Sequence, residues 1–117
     1  MTIREMQALL DATLLFGEDS LDSEIQTVFS ADMMSDLLAY GKFGHACSIL
    51  LTGLCNPQVI RTAEMLDIHC IVFVRGKVPA EDVLSLGRDR NIAMFTTRRH
   101  MFTSCGLLYQ EGLRGGE

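Results

Sequence analysis

"CIVFVRGKVPAEDVLSLGRDRNIAMFTT", residues 70 to 97, decides the fold. Cys70 to Val74 form a short, continuous apolar run rich in β-branched residues, the mark of a strand covered on both faces. Pro79 opens a helix whose Ala80, Val83, Leu84 and Gly87 share one side. A second apolar run, "NIAMFTT" (91–97), closes the unit. Two strands joined through a helix run parallel, and the crossover is right-handed.

Outward from this unit the alternation continues. Upstream, "ACSILLTG" (46–53) is another strand, followed by a helix from Pro57 with Asn56 as its N-cap and a buried stripe of Val59, Ile60, Ala63 and Leu66. Downstream, residues 98–112 form a helix expected to turn Met101, Phe102, Cys105, Leu108 and Tyr109 inward. At the start of the chain Thr2 and Glu5 make a capping box for a helix carrying Ile3, Met6, Leu9 and Leu10. "ATLLF" (12–16) and "EIQTVFS" (24–30) read as strands on either side of a polar turn, "GEDSLD", and "ADMMSDLLAY" (31–40) as a helix ending at Gly41. The expectation is a three-layer α/β/α domain with a mostly parallel sheet, to which an N-terminal helix and two strands are added. One domain fills residues 1–112, and residues 113–117 are expected to be a frayed tail.

Composition excludes several classes of function. The 117 residues are 48% hydrophobic and 21% charged, ordinary values for a globular domain. No apolar run approaches the roughly 20 residues of a membrane span, and no signal-peptide core opens the chain, so a cytoplasmic protein without a membrane partner is expected. A net charge of −5 argues against nucleic acid. The charge is uneven: residues 1–36 hold eight acids and one base, and residues 37–117 hold seven acids and nine bases. Cys47, Cys55, Cys70 and Cys105 form no CxxC pair. Although His45, His69 and His100 lie near three of them, the spacings match no zinc pattern, so free thiols, no metal and no cofactor are expected.

Ligands of open parallel sheets bind outside the carboxyl ends of the strands. That edge would gather Thr52, Gly53 and Asn56, then Arg75, Gly76 and Lys77, then Thr96, Thr97, Arg98 and Arg99, and also Ser30 and Asp32 if their strand is parallel. Cations and helix N-termini on one rim favour an anionic small molecule. Against this, Glu81 and Asp82 already complement the helix after Lys77. Neither G-x-x-x-x-G-K-[ST] nor G-x-G-x-x-G is present, and no nucleophile sits in a G-x-S-x-G elbow. The residues read as a binding domain without a catalytic residue.

"LLTGLCNPQVIRTAEMLDI" followed by "CIVFVRGKVPAEDVLSLGRDRNIAMFTTRRHMFTSCGLLYQEGL" resembles the DRTGG domain and is similar to the N-terminal domain of HPr kinase/phosphorylase. The opening "MTIREMQALLDATLLFGEDSLDSEIQTVFSADMMSDLLAYG" extends the likeness to roughly residues 1–112. The resemblance implies an accessory, regulatory or dimer-forming domain rather than a catalytic unit. At the place of the naming motif Asp32 is kept, but Met33, Met34, Ser35 and Asp36 stand for Arg-Thr-Gly-Gly, which favours a protein contact there. A non-catalytic regulatory module is therefore expected, a homodimer that uses Met33, Met34 and Leu37 and serves an unknown protein partner. The alternative is a sensor of a nucleotide or phosphorylated metabolite at the rim.

Overall fold

The computed structural model describes residues 1–40 and 48–116. His45 and Cys47, which entered the zinc argument, lie outside the described residues. The chain runs α1 (Ile3–Leu10), β1 (Thr13–Phe16), a single 3-10 turn (Glu18–Ser20), β2 (Thr27–Ser30), α2 (Met34–Tyr40), β3 (Ser48–Thr52), α3 (Pro57–Met65), β4 (Cys70–Phe73), α4 (Glu81–Asp89), β5 (Ala93–Thr96), α5 (Met101–Gln110) and β6 (Arg114–Gly115).

These strands make one sheet in the order β1-β5-β4-β3-β2-β6. All neighbours are parallel except β1, which runs antiparallel to β5 at one edge. The two added N-terminal strands are thus far apart: β1 borders β5, and β2 lies on the other side beside β3. Because successive side chains point to opposite faces, each central strand feeds two cores. Ile49, Leu51, Cys70, Val72, Ala93 and Phe95 face α1 and α5, where Ile3, Met6, Leu10 and Leu108 meet them. Leu50, Ile71, Phe73 and Met94 face the other way, onto Met34 and Leu37 of α2, Val59, Ile60 and Ala63 of α3, and Val83 of α4. The expected three-layer α/β/α arrangement is what the chain adopts.

Local signals set several boundaries as read. Thr2 and Glu5 close a reciprocal capping box at α1. Asn56 caps α3 by accepting from the Gln58 N–H at 3.0 Å. Gly87 of α4 lies against Met94, whose sulfur would stand 2.5 Å from any added β-carbon, so the helix sits close on the sheet.

Three expectations are corrected. Pro79 precedes α4 by two residues rather than opening it, with Ala80 as the N-cap. In α5, Ser104 and Leu108 turn fully inward and Met101 and Cys105 are half-buried, while Phe102 and Tyr109 point outward at 88% and 61% exposure. Almost every side of that helix is apolar, so periodicity could not choose the inner one. Residues 113–116 are no frayed tail: Leu113 is buried in the core, and Arg114–Gly115 pair with Thr27 and Val28 as the sheet's outermost strand. Burial of the leucine, which brings about 1.5–3 kcal/mol, acts together with the pairing to β2 and the Arg114 bonds to the Tyr109 and Leu113 carbonyls to hold the segment.

Candidate functional site

β2 is parallel to β3, so Asp32 does join the carboxyl edge. Its side chain links two other loops. Asp32 Oδ1 accepts from the Gly53 backbone N–H at 2.8 Å, and Oδ2 lies 3.5 Å from Arg75 Nη1. The Arg75 guanidinium rests over Gly53, in space that a β-carbon there would occupy. Loops after β2, β3 and β4 are therefore tied through Asp32, Gly53 and Arg75.

The connection after β4 is the one a sequence reader would suspect of cradling phosphate. Arg75 and Gly76 both adopt left-handed backbone, with φ of 62° and 69°. Such consecutive turns can aim N–H groups at an anion. Here the donors are already used. Arg75 N–H donates to the Arg99 carbonyl at 2.9 Å, Gly76 N–H to the Thr97 carbonyl at 2.8 Å, and Lys77 N–H to the Val74 carbonyl at 3.2 Å. This loop is fastened to the one after β5.

The hydroxyls are also committed. Thr52 is fully buried and accepts from Leu54 N–H at 3.1 Å. Thr96 donates to the Lys77 carbonyl at 2.6 Å. Thr97 donates to the Leu10 carbonyl at 2.7 Å and accepts from Arg99 N–H at 3.2 Å. Asn56 spends its side-chain oxygen on the cap of α3. The predicted rim residues are brought together, but mostly as partners of one another.

What remains outward is cationic. Lys77, Arg98 and Arg99 make no ion pair among the described residues. Arg98 and Arg99 line a hollow of about 240 Å³ with Leu10, Asp11 and Thr97. One residue near the rim was read from the sequence only as a free thiol: Cys55, whose thiol is pushed up by burial against the opposing pull of Lys77 and Arg75. Its place after a glycine-containing turn gave no signal of that neighbourhood.

The residues expected at a dimer contact separate. Met34 and Leu37 are buried in the chain's own core, while Met33 is 61% exposed. The stretch after Asp32 thus sends two of its three large side chains onto the sheet. Cys55, Cys70 and Cys105 are free thiols, and no group of three or more His, Cys, Asp or Glu residues that could hold a metal occurs among the described residues. No described helix is long and apolar enough to cross a membrane.

No family model matches the sequence, and no curated protein matches it. The structure is similar to a crystal structure of the CBS and DRTGG domains of the regulatory region of Clostridium perfringens pyrophosphatase, complexed with its activator, diadenosine tetraphosphate. The TM-score is 0.75 at 18% identity, and the match covers 93% of this chain and 46% of that one. This chain therefore spans less than half the length of that regulatory region. The likeness establishes a DRTGG-like fold.

Proposed function

We propose that the chain is a non-catalytic regulatory module that works through contact between protein surfaces, as a homodimer and as an accessory to a larger complex. One observation carries this reading: the polar groups of the carboxyl edge are bonded to each other. Anion cradles and oxyanion sites depend on N–H groups left free to face the ligand. Gly53, Arg75, Gly76 and Lys77 have given theirs to Asp32, Arg99, Thr97 and Val74. The likeness to a regulatory region of an enzyme supports the same conclusion. Pure protein incubated with nucleotides, dinucleoside polyphosphates and sugar phosphates should return them unchanged. Turnover that Arg75→Ala abolishes would overturn the reading.

The cations left outward favour a second reading, a sensor that holds a nucleotide or other phosphorylated metabolite by side chains alone. Lys77, Arg98 and Arg99 would supply the charge, the two arginines from a hollow that Asp11 also lines. The complex of the similar regulatory region with diadenosine tetraphosphate supports testing this class of ligand. Calorimetry decides it. Lys77→Ala with Arg98→Ala should weaken binding by about 1–3 kcal/mol per lost charged hydrogen bond, and no heat with any phosphorylated ligand removes the sensor.

A further inference from the structure

The outer face of α5 carries two exposed aromatic rings, and among the described residues only Arg114 lies over part of it, at Tyr109. Phe102 and Tyr109, 88% and 61% exposed, stand one turn to either side of Gly106. A glycine inside a helix destabilises it relative to alanine, yet a side chain on Gly106 would meet nothing within 4 Å. Nothing among the described residues requires glycine there. Between the two rings lies a shallow groove of about 560 Å³ floored by Thr103, Cys105, Gly106 and Gln110.

The charges at the ends of α5 oppose its dipole. Arg98 and Arg99 precede its N-terminus with no acid in the first turn, and Glu111 follows its C-terminus. The favourable order is the reverse, and α4 follows it, with Glu81 and Asp82 in its first turn and Arg88 in its last. Arg114 offsets part of the C-terminal charge by donating to the Tyr109 carbonyl and lying over the Tyr109 ring. The N-terminal cations have no such compensation from acids in the helix.

We propose that α5 pairs with α5 of a second copy, antiparallel, about a two-fold axis between Cys105 and Gly106. This rests on the homodimer reading above and names its surface. A two-fold contact must be self-complementary, with every pair made twice. In this register Phe102 meets the second copy's Tyr109, an aromatic pair at each end of the groove. Cys105 meets Gly106, small residues where the helices cross, so the axes can approach closely. His100, with Arg99 beside it, meets Glu111. The cationic N-terminus of each helix then lies on the acidic, dipole-negative end of the other.

Light scattering on the full chain tests this. Wild type should have twice the 13.0 kDa chain mass at micromolar concentration. Phe102→Glu and Tyr109→Glu should each raise the dimer dissociation constant at least about tenfold, with unchanged far-UV circular dichroism. Glu111→Arg alone should also weaken pairing, and adding Arg99→Glu to the same chain should restore it, because the facing charges are again opposite. A dimer indifferent to both aromatic changes would overturn the α5 surface alone, leaving the homodimer intact. Weakening without recovery in the charge exchange would overturn the antiparallel register. A wild-type monomer at every concentration would overturn the homodimer reading itself, and α5 with it.

Discussion

Arg75 lies across Gly53 so closely that a β-carbon on Gly53 would stand 2.7 Å from the guanidinium carbon. The glycine is needed for what rests on it. With Asp32 bound to the Gly53 N–H and facing Arg75, three loops from three strands share one small junction. Gly53→Ala should therefore push Arg75 aside and weaken its pairing with Asp32. The pair is partly exposed, so the loss should stay below about 1 kcal/mol. In an Arg75→Ala background the same change should cost almost nothing, as a double-mutant cycle in urea would measure. An equal cost in both backgrounds would show that some other neighbour requires the glycine.

Met33 and Met34 are adjacent and should respond oppositely to a charge. Met34 is 5% exposed and packs with Phe29 and Leu37 on the sheet. Met34→Glu would bury a carboxylate without a partner and should cost at least about 2 kcal/mol. Met33→Glu should stay within about 0.5 kcal/mol. Denaturant midpoints at constant m-value would measure both, and equal losses would contradict the inward turn of Met34.

Burial holds the Cys70 thiol far above its ordinary value of 9.0. The folded chain keeps this proton at a pH where the unfolded chain releases it. The stability linked to the group is whole below the free-thiol value and is lost as pH rises above it, by up to about 1.4 kcal/mol per pH unit. Urea midpoints should fall from about pH 9 upward, and Cys70→Ala should flatten the decline relative to wild type. Thiol reagents should modify Cys70 only after denaturation, so rapid labelling of the native chain at this position would contradict its burial.

The C-terminal segment offers a direct test of the sheet's outer edge. Truncation after Gly112 removes Leu113 from the core and β6 from β2. It should cost about 2–3 kcal/mol, chiefly from the leucine. Leu113→Ala alone should reproduce most of the loss. A truncated chain as stable as wild type would mean that the last strand contributes nothing.

The central βαβαβ pattern was legible because local and global signals agreed. Cys70–Val74 and Ala93–Phe95 are short runs apolar at every position, as strands covered on both faces are, and too short for buried helices. Asn56 before Pro57 marked the start of α3 at single-residue accuracy, since a cap is a local hydrogen bond. The rim was legible as a set of residues and not as a state. Thr52, Thr96, Thr97, Arg75 and Lys77 do gather at one edge, but their spacing says nothing about whether each donor faces a ligand or a neighbouring loop.

By itself the sequence determined the parallel α/β core, the capping of α1 and α3, and the identity of the residues at the carboxyl edge. These follow from periodicity, caps and topology, all of which act over a few residues or through the handedness of crossovers. Only the tertiary structure decided that the Arg75–Gly76 turn spends its N–H groups on Arg99 and Thr97, that Met34 faces in while Phe102 faces out, and that Leu113 completes the core. Each of these depends on segments distant in the chain reaching the same place. A hydrogen-bond donor, or the side of an evenly apolar helix, has no fixed partner until the fold supplies one.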